Sequence, residues 1–219
     1  MMVLNFDKII LMGSKTTAYR CAEVVAKKAG NVHFYENVAE KESIPSLYLN
    51  NPSITWHFCS NNEWKDLLKQ EKEKTLFLSV TNQSIIPKEI ISINNITLIN
   101  LHSAILPYYR GRNCGGWALF NEEKFTGSTW HYLTEKVDEG NILWQREVLI
   151  AENDTSFSLL RKQYNAGVQL LEENIERLLH EDIAGIPQSH NEKIFYSYAK
   201  DKPNEGNNIN SRINTRRPY

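Results

Sequence analysis

An α/β fold is predicted by three features of the amino-acid sequence. The first is a β-α-β opening. The continuous apolar run Lys8 to Met12, bounded by Gly13-Ser14, reads as a short buried strand. Thr17 to Ala29 then carries Ala18, Ala22, Val25, Ala26 and Ala29 on one helical face and stops at Gly30-Asn31, and Val32 to Tyr35 is the second strand. The second feature is alternation of strands with helices over the first hundred residues, which favours a parallel sheet with right-handed crossovers. The third is a change of character beyond Gly111, where a hairpin pattern and then a long amphipathic pattern take over.

Element by element, the stretch from Asn37 to Pro52 is polar and irregular, Ile54 to Cys59 alternates like a strand, and Glu63 to Lys72 is a charged helix. Thr75 to Val80 is another buried strand, and a helical turn started by Pro87 leads into the strand Ile96 to Asn100. Ser128 to Thr134 and Ile142 to Ile150 alternate across a turn at Asp138-Glu139-Gly140-Asn141, the signature of a hairpin added to the sheet. Asp154-Thr155-Ser156 signals a helix start, and Phe157, Leu160, Tyr164, Val168, Leu171, Ile175 and Leu178 recur at steps of three or four. That helix is expected to run about 26 residues. The sum is a Rossmann-like, mostly parallel sheet with an added antiparallel hairpin and a long C-terminal helix. A main domain is expected over residues 1–185, with a short C-terminal appendage or tail over 186–219, rich in Asn, Pro, Gly and Arg.

Composition narrows the function classes. At 219 residues and 41% apolar content the chain supports one good core. Its net charge of −1, with both signs interspersed, offers no footprint for a nucleic-acid backbone, so no nucleic-acid partner is expected. Cys21, Cys59 and Cys114 form no C-x-x-C pair, and their odd number argues against a disulfide framework. Met1 to Met12 lacks the order of a signal peptide, and no apolar run approaches a membrane span. A cytoplasmic protein with no membrane partner and no metal is expected; the sequence sets no oligomeric state, a homodimer being one option.

The chemistry concentrates where the strand Ile96 to Ile99 runs into Asn100-Leu101-His102 and a loop through Pro107. Open α/β sheets place active sites where buried strands emerge. Asn100 and His102 have period-2 spacing and so point to one side. A side-chain amide can donate to a developing oxyanion and an imidazole can donate or carry a proton. Asp138, on the hairpin turn, is positioned to come alongside both. From the residues alone a plainer alternative stands beside this: a strand-ending Asn, a satisfied loop His and a turn-capping Asp.

Asn100-x-His102, the Leu106-Pro107-x-x-Arg110-Gly111 loop, Gly127-x-Thr129-x-His131 and Val137-Asp138-x-Gly140-x-Ile142-Leu143-x-Gln145 resemble, in this order, the 10-formyltetrahydrofolate-dependent formyltransferase family. The resemblance is dense from Ile96 to Leu179 and thin before Thr75. It implies a catalytic set of Asn100, His102 and Asp138. An acceptor amine attacks the formyl carbon, Asn100 and protonated His102 stabilise the charge on the formyl oxygen, and Asp138 orients His102 and accepts the amine proton directly or through water. It maps the pterin of 10-formyltetrahydrofolate to Gln83, Ser84, Ile85, Ile86, Leu98 and Val137. Tyr109, Arg110 and Arg112 are candidates for holding an anionic acceptor. His131 is a candidate for holding the site together, and Trp117, Trp130 and Trp144 are packing residues.

Departures from the family narrow the acceptor. Gly13-Ser14-Lys15-Thr16-Thr17 lacks the glycine-rich phosphate loop expected for glycinamide ribonucleotide, and also the G-x-G-x-x-G of a dinucleotide enzyme. Methionyl-tRNA formyltransferases carry an additional C-terminal domain, whereas about 40 residues follow the long helix here with no basic signal, so a tRNA substrate is not expected. Ile194 to Lys200 and Pro203-Asn204-Glu205-Gly206 are similar to the post-core stretch of sugar N-formyltransferases. The resemblance therefore implies an N-formyltransferase acting on a primary amine of a small molecule, a nucleotide-linked amino sugar first. The alternatives are an aminoacyl or natural-product intermediate, glycinamide ribonucleotide, or a formyl-folate hydrolase or inactive folate-binding protein.

Overall fold

The computed structural model describes residues 4–36, 50–58, 63–82 and 84–189, together with the backbone of Phe195–Tyr196. Gln83, Cys59, the stretch 37–49 and the tail segments 190–194 and 197–219, with Tyr198 among them, lie outside the described residues. The opening consists of β1 (Lys8–Gly13), α1 (Lys15–Ala29) and β2 (Val32–Glu36), followed by β3 (Ile54–Phe58), α2 (Glu63–Lys69), β4 (Thr75–Val80), α3 (Lys88–Ile91) and β5 (Ile96–His102). Then come β6 (Arg110–Gly111), α4 (Cys114–Phe120), β7 (Phe125–Tyr132), β8 (Ile142–Leu149), α5 (Ser156–His180) and β9 (Phe195–Tyr196).

Seven strands form one sheet in the order β3-β2-β1-β4-β5-β7-β8. The first five are mutually parallel, while β7 pairs antiparallel with β5 and β8 antiparallel with β7. The fold is thus the mostly parallel α/β sheet with an added hairpin that the pattern predicts. Both faces are covered, which is why every residue of β4 is buried. Alternation sorts the core into two layers. Leu11, Leu78, Ile99 and Leu101 pack with α1 and α5, whereas Ile10, Met12, Phe77, Ile96 and Leu98 pack with Trp64 and Leu68 of α2 and Ile90 of α3. Asn100 and His102 continue the row of Ile96 and Leu98, so one strand face turns from apolar to polar as it leaves the core.

The hairpin begins at Phe125, three residues before its expected start at Ser128. Neither β6 nor α4 is foreseen by the pattern, and Gly115-Gly116 inside α4 accounts for that, since glycine is a poor helix former. The long helix has 25 residues, close to expectation, but its apolar stripe is rotated at the start. Leu159 and Gln163 are the buried positions there, and Phe157 is 77% exposed. Farther along, Gly167 lets α5 sit close to the sheet: a Cβ there would come within 2.5 Å of Leu101 Cδ1, and its carbonyl accepts the Trp130 indole N–H at 2.8 Å. Past α5, Ile186 bridges to Ile142 of β8 and Gln188 is buried. Among the described residues no helix is long and apolar enough to cross a membrane.

The start of α5 is fixed by a reciprocal cap. Thr155 Oγ1 accepts from Ser158 N at 3.1 Å and Ser158 Oγ accepts from Thr155 N at 2.9 Å. Thr155→Ala removes half of that exchange and is expected to cost about 1 kcal/mol of stability, read by urea denaturation.

Candidate active site

The strand order reverses between β1 and β4, since β1 is followed by β2 on one side and flanked by β4 on the other. At the carboxyl ends of these strands opens a cavity of about 810 Å³. Ligands of open α/β sheets bind at such a reversal. Its walls come from the start of α1, the ends of β4 and β5, the Gly111–Cys114 turn, Asp138 and one stripe of α5. Gly13 is required by packing, because a Cβ there would meet Val80 O at 1.9 Å.

Three of the expected residues meet in this cavity. Asn100 and His102 project from the end of β5, and the antiparallel register opposes Asn100 to His131 and His102 to Thr129 of β7. Asn100 Nδ2 donates to His131 Nε2 at 3.2 Å, and His131 Nδ1 donates to Tyr132 O at 2.8 Å, which leaves Nε2 as the acceptor. One Asn100 amide hydrogen thus anchors the side chain while the other is left for a ligand oxygen. His131 is wholly buried.

Asp138 comes in from the β7–β8 turn with φ 54°, a left-handed conformation that aspartate tolerates better than most residues. Its Oδ2 lies 3.5 Å from His102 Nδ1 and accepts the Gly111 N–H at 2.8 Å, and its Oδ1 lies 3.5 Å from His131 Nε2. Burial works against its charge, yet the charge on His102 and the Gly111 amide hold the carboxyl well below the usual carboxylate range. Burial also works against a charged His102. The Cys114 sulfur and the Asp138 carboxylate outweigh it and lift the imidazole from 6.5 to about 9. At neutral pH the pair is imidazolium and carboxylate.

The remaining family-motif residues hold the loop that returns to His102. Thr129 Oγ1 donates to Ala104 O at 2.7 Å and accepts from Leu106 N, while Gln145 Nε2 donates to Leu106 O and Thr129 Oγ1. Tyr109 and Arg110, expected to face an acceptor, are placed otherwise. The Tyr109 carbonyl accepts from His102 Nε2 at 2.8 Å, and its phenol bonds Glu123 and Asn121. Arg110 is 1% exposed, donates to Gln188 Oε1 at 2.5 Å and pairs with Glu139 at 3.3 Å. Arg112 does line the cavity and is exposed.

Of the pterin candidates, Ile86 and Leu98 are buried together in the layer beneath Asn100. Ser84 N bonds Asn82 Oδ1, and Ile85 and Val137 are exposed, while Gln83 lies outside the described residues. None of the described candidates lines the large cavity. Two residues carry no signal in the sequence. Cys114 lies buried with Sγ 3.5 Å from His102 Nε2 and 3.0 Å from Tyr109 O. Gln188 Nε2 donates to Asp138 O at 2.9 Å and Gly140 O at 2.7 Å, which clamps the turn that presents Asp138.

The sequence model of the Formyl transferase family matches residues 3–175. The chain belongs to this family. It is 35% identical over 156 residues to the bifunctional polymyxin resistance protein ArnA of Wigglesworthia glossinidia brevipalpis, covering 70% of this chain and 23% of that protein. It is 28% identical over 202 residues to a methionyl-tRNA formyltransferase of Alkaliphilus oremlandii, covering 86% of this chain and 64% of that protein. The chain thus spans less than two thirds of the length of either curated relative. The same fold occurs in the N-formyltransferase from Helicobacter canadensis in complex with folinic acid and dTDP-3-aminofucose, with TM-score 0.75 and 22% identity over 88% of this chain and 71% of that one.

Two outcomes follow from the geometry. His102 has its pKa raised on folding, so its stabilising charge is fully present below about 6.5 and lost as pH rises through about 9. Denaturation at pH 6 and pH 10 is expected to show the stability gap between the protein and His102→Asn closing at the higher pH. Gln188→Leu keeps volume but removes the clamp, and is expected to cost roughly 1–3 kcal/mol and to move the NMR titration of His102 downward toward 6.5. An unmoved titration with lost stability would limit Gln188 to packing.

Proposed function

We infer that this member of the formyl transferase family is an N-formyltransferase, moving a formyl group from 10-formyltetrahydrofolate to a primary amine of a nucleotide-linked amino sugar. The observation that carries the reading is the gathering of an anchored amide, an imidazolium and a carboxylate at one end of a cavity whose other lining charges are Lys15, Arg20, Arg112 and Arg161. The amine attacks the formyl carbon and negative charge builds on the formyl oxygen; collapse of this tetrahedral adduct breaks the bond from the formyl carbon to N10 of the folate, which takes a proton from water and leaves as tetrahydrofolate. Asn100 donates to that oxygen and the positive His102 stabilises it through space. Asp138 keeps His102 charged and faces the attacking amine. A carboxyl held so far below its usual range stores a proton poorly, so the amine proton passes on to water.

We place the donor on the side of the sheet carrying Ile86 and Leu98, which form an apolar layer beneath Asn100. Folinic acid in the Helicobacter canadensis relative supports the donor class, and its dTDP-3-aminofucose supports the acceptor class. The cationic lining supports an anionic acceptor independently.

Supplying 10-formyltetrahydrofolate with a panel of nucleotide-linked amino sugars and following formamide formation by mass spectrometry tests the reading. Asp138→Asn and His102→Ala are each expected to lower turnover at least about 100-fold, with non-additive effects in the double variant. A variant keeping more than a tenth of the activity removes that residue from the mechanism. Formate release without any formylated amine would make the protein a formyl-folate hydrolase.

A further inference from the structure

At the outer edge of the sheet stands a pair of histidines that formyl transfer does not use. The register of β2 and β3 sets His33 opposite Thr55 and Tyr35 opposite His57, so strand alternation puts His33, Tyr35 and His57 on one sheet face. His33 Nδ1 and His57 Nε2 lie 3.1 Å apart, joined by a single hydrogen bond. The two rings are inclined by only 21°, and Tyr35 stacks on His57 at 4.4 Å and 12°. Both histidines are half-buried, and among the described residues neither ring makes a second hydrogen bond. Strands β2 and β3 stand three and four places from β5 in the sheet, so the pair is separate from Asn100, His102 and Asp138.

Imidazole binds first-row transition metals through an unprotonated nitrogen. With metal–nitrogen bonds of about 2.0–2.1 Å, nitrogens 3.1 Å apart subtend roughly 100° at the metal. That bite lies between the right angle of tetragonal copper(II) or nickel(II) and the tetrahedral angle of zinc(II). One of the facing nitrogens carries the hydrogen of the present bond. On metal entry this proton moves to the other nitrogen of the same ring, which has no partner among the described residues. The charged groups around the pair are Lys8 of β1 and Glu71 and Glu73 in the turn before β4. Lys8 opposes a cation but is tied to Glu71 at 2.6 Å, and both glutamates favour one. Burial first, then Lys8 and the neighbouring ring, hold both imidazoles below their ordinary range, so at neutral pH their nitrogens are open to a metal.

We propose that His33 and His57 form a two-histidine site for a first-row transition-metal dication, copper(II) more tightly than nickel(II) or zinc(II), with water completing the coordination. Among the described residues no group of three or more His, Cys, Asp and Glu side chains gathers around a metal position, so the protein supplies two ligands. A metal held there ties the edge strand β3 to β2, and binding to the folded chain stabilises it by mass action. The assignment is independent of the formyl-transfer reading.

Calorimetry on the untagged full chain tests it, with copper(II), nickel(II) and zinc(II) as probes and magnesium as a hard-cation control. The three transition metals are expected to bind, copper(II) most tightly, and magnesium not to bind. His33→Gln and His57→Gln are each expected to weaken the tightest copper(II) site about tenfold or more, because the second imidazole no longer closes the chelate. Affinity is expected to fall between pH 7 and pH 5, where protons compete for both rings. Electron paramagnetic resonance of the copper-loaded, unsubstituted chain gives a reading that does not depend on how a variant folds, and two equatorial nitrogens are expected. The site is overturned if no transition metal binds, if the tightest copper(II) affinity survives both substitutions, which would place the metal elsewhere, or if the spectrum shows fewer than two nitrogens, which would leave the pair a hydrogen bond alone.

Discussion

The site depends first on the register between β5 and β7. Strand side chains alternate with period 2, so a slip of one residue would turn His131 and Thr129 to the opposite face and leave Asn100 and His102 without their partners. The register is held from three directions. The β7–β8 ladder sets Thr129 opposite Gln145, the Trp130 indole is tied to the Gly167 carbonyl of α5, and an irregularity between Trp130 and His131 shifts the pairing so that His131 opposes Ile142. The added hairpin is therefore the element that turns the end of a buried parallel strand into a chemical site.

A second layer of bonds converts that register into a fixed arrangement of charge. Thr129 and Gln145 pin the chain at Ala104 and Leu106, the Tyr109 carbonyl takes the His102 N–H, and the Gly111 amide reaches Asp138. Arg110 and Gln188 close the circuit beneath, each side-chain group meeting the next. Buried polar networks of this kind hold one geometry well when their members are satisfied, because an unmade bond in a low-dielectric interior is costly. Residues far apart in the chain, from Asn100 to Gln188, thus act as one unit.

This explains which parts were legible in the sequence. Asn100 and His102 declare themselves because strand alternation is local, and the hairpin and long helix because their periods extend over many residues. Arg110 does not, since burial of the arginine that opens the short strand β6 depends on Gln188, 78 positions away. Cys114 is silent for a similar reason: only the fold brings its sulfur to His102. Phe157 fits the apolar period of the helix, yet the first turn of α5 overhangs the ends of the strands, and tertiary position there overrides the pattern. The sequence-level motif distinguishes what is polar and periodic from what is not; it carries no information on where a helix runs past the sheet it packs on.

The electrostatic division of the cavity follows from these constraints. Asp138 is one carboxylate amid four cationic side chains, and a mobile aspartate would find Arg112 or Arg161 an attractive partner. Its positive φ, the Gly111 amide and the clamp of Gln188 on its own carbonyl commit it to His102 instead. The consequence runs both ways. His102 stays charged at neutral pH because Asp138 and the Cys114 sulfur stay beside it, and the outer cations stay available because Asp138 does not neutralise them. A single fixed carboxylate therefore maintains two distinct fields, a paired one at the end of β5 where an oxyanion would form and an unpaired positive one along α5 where an anionic ligand would arrive.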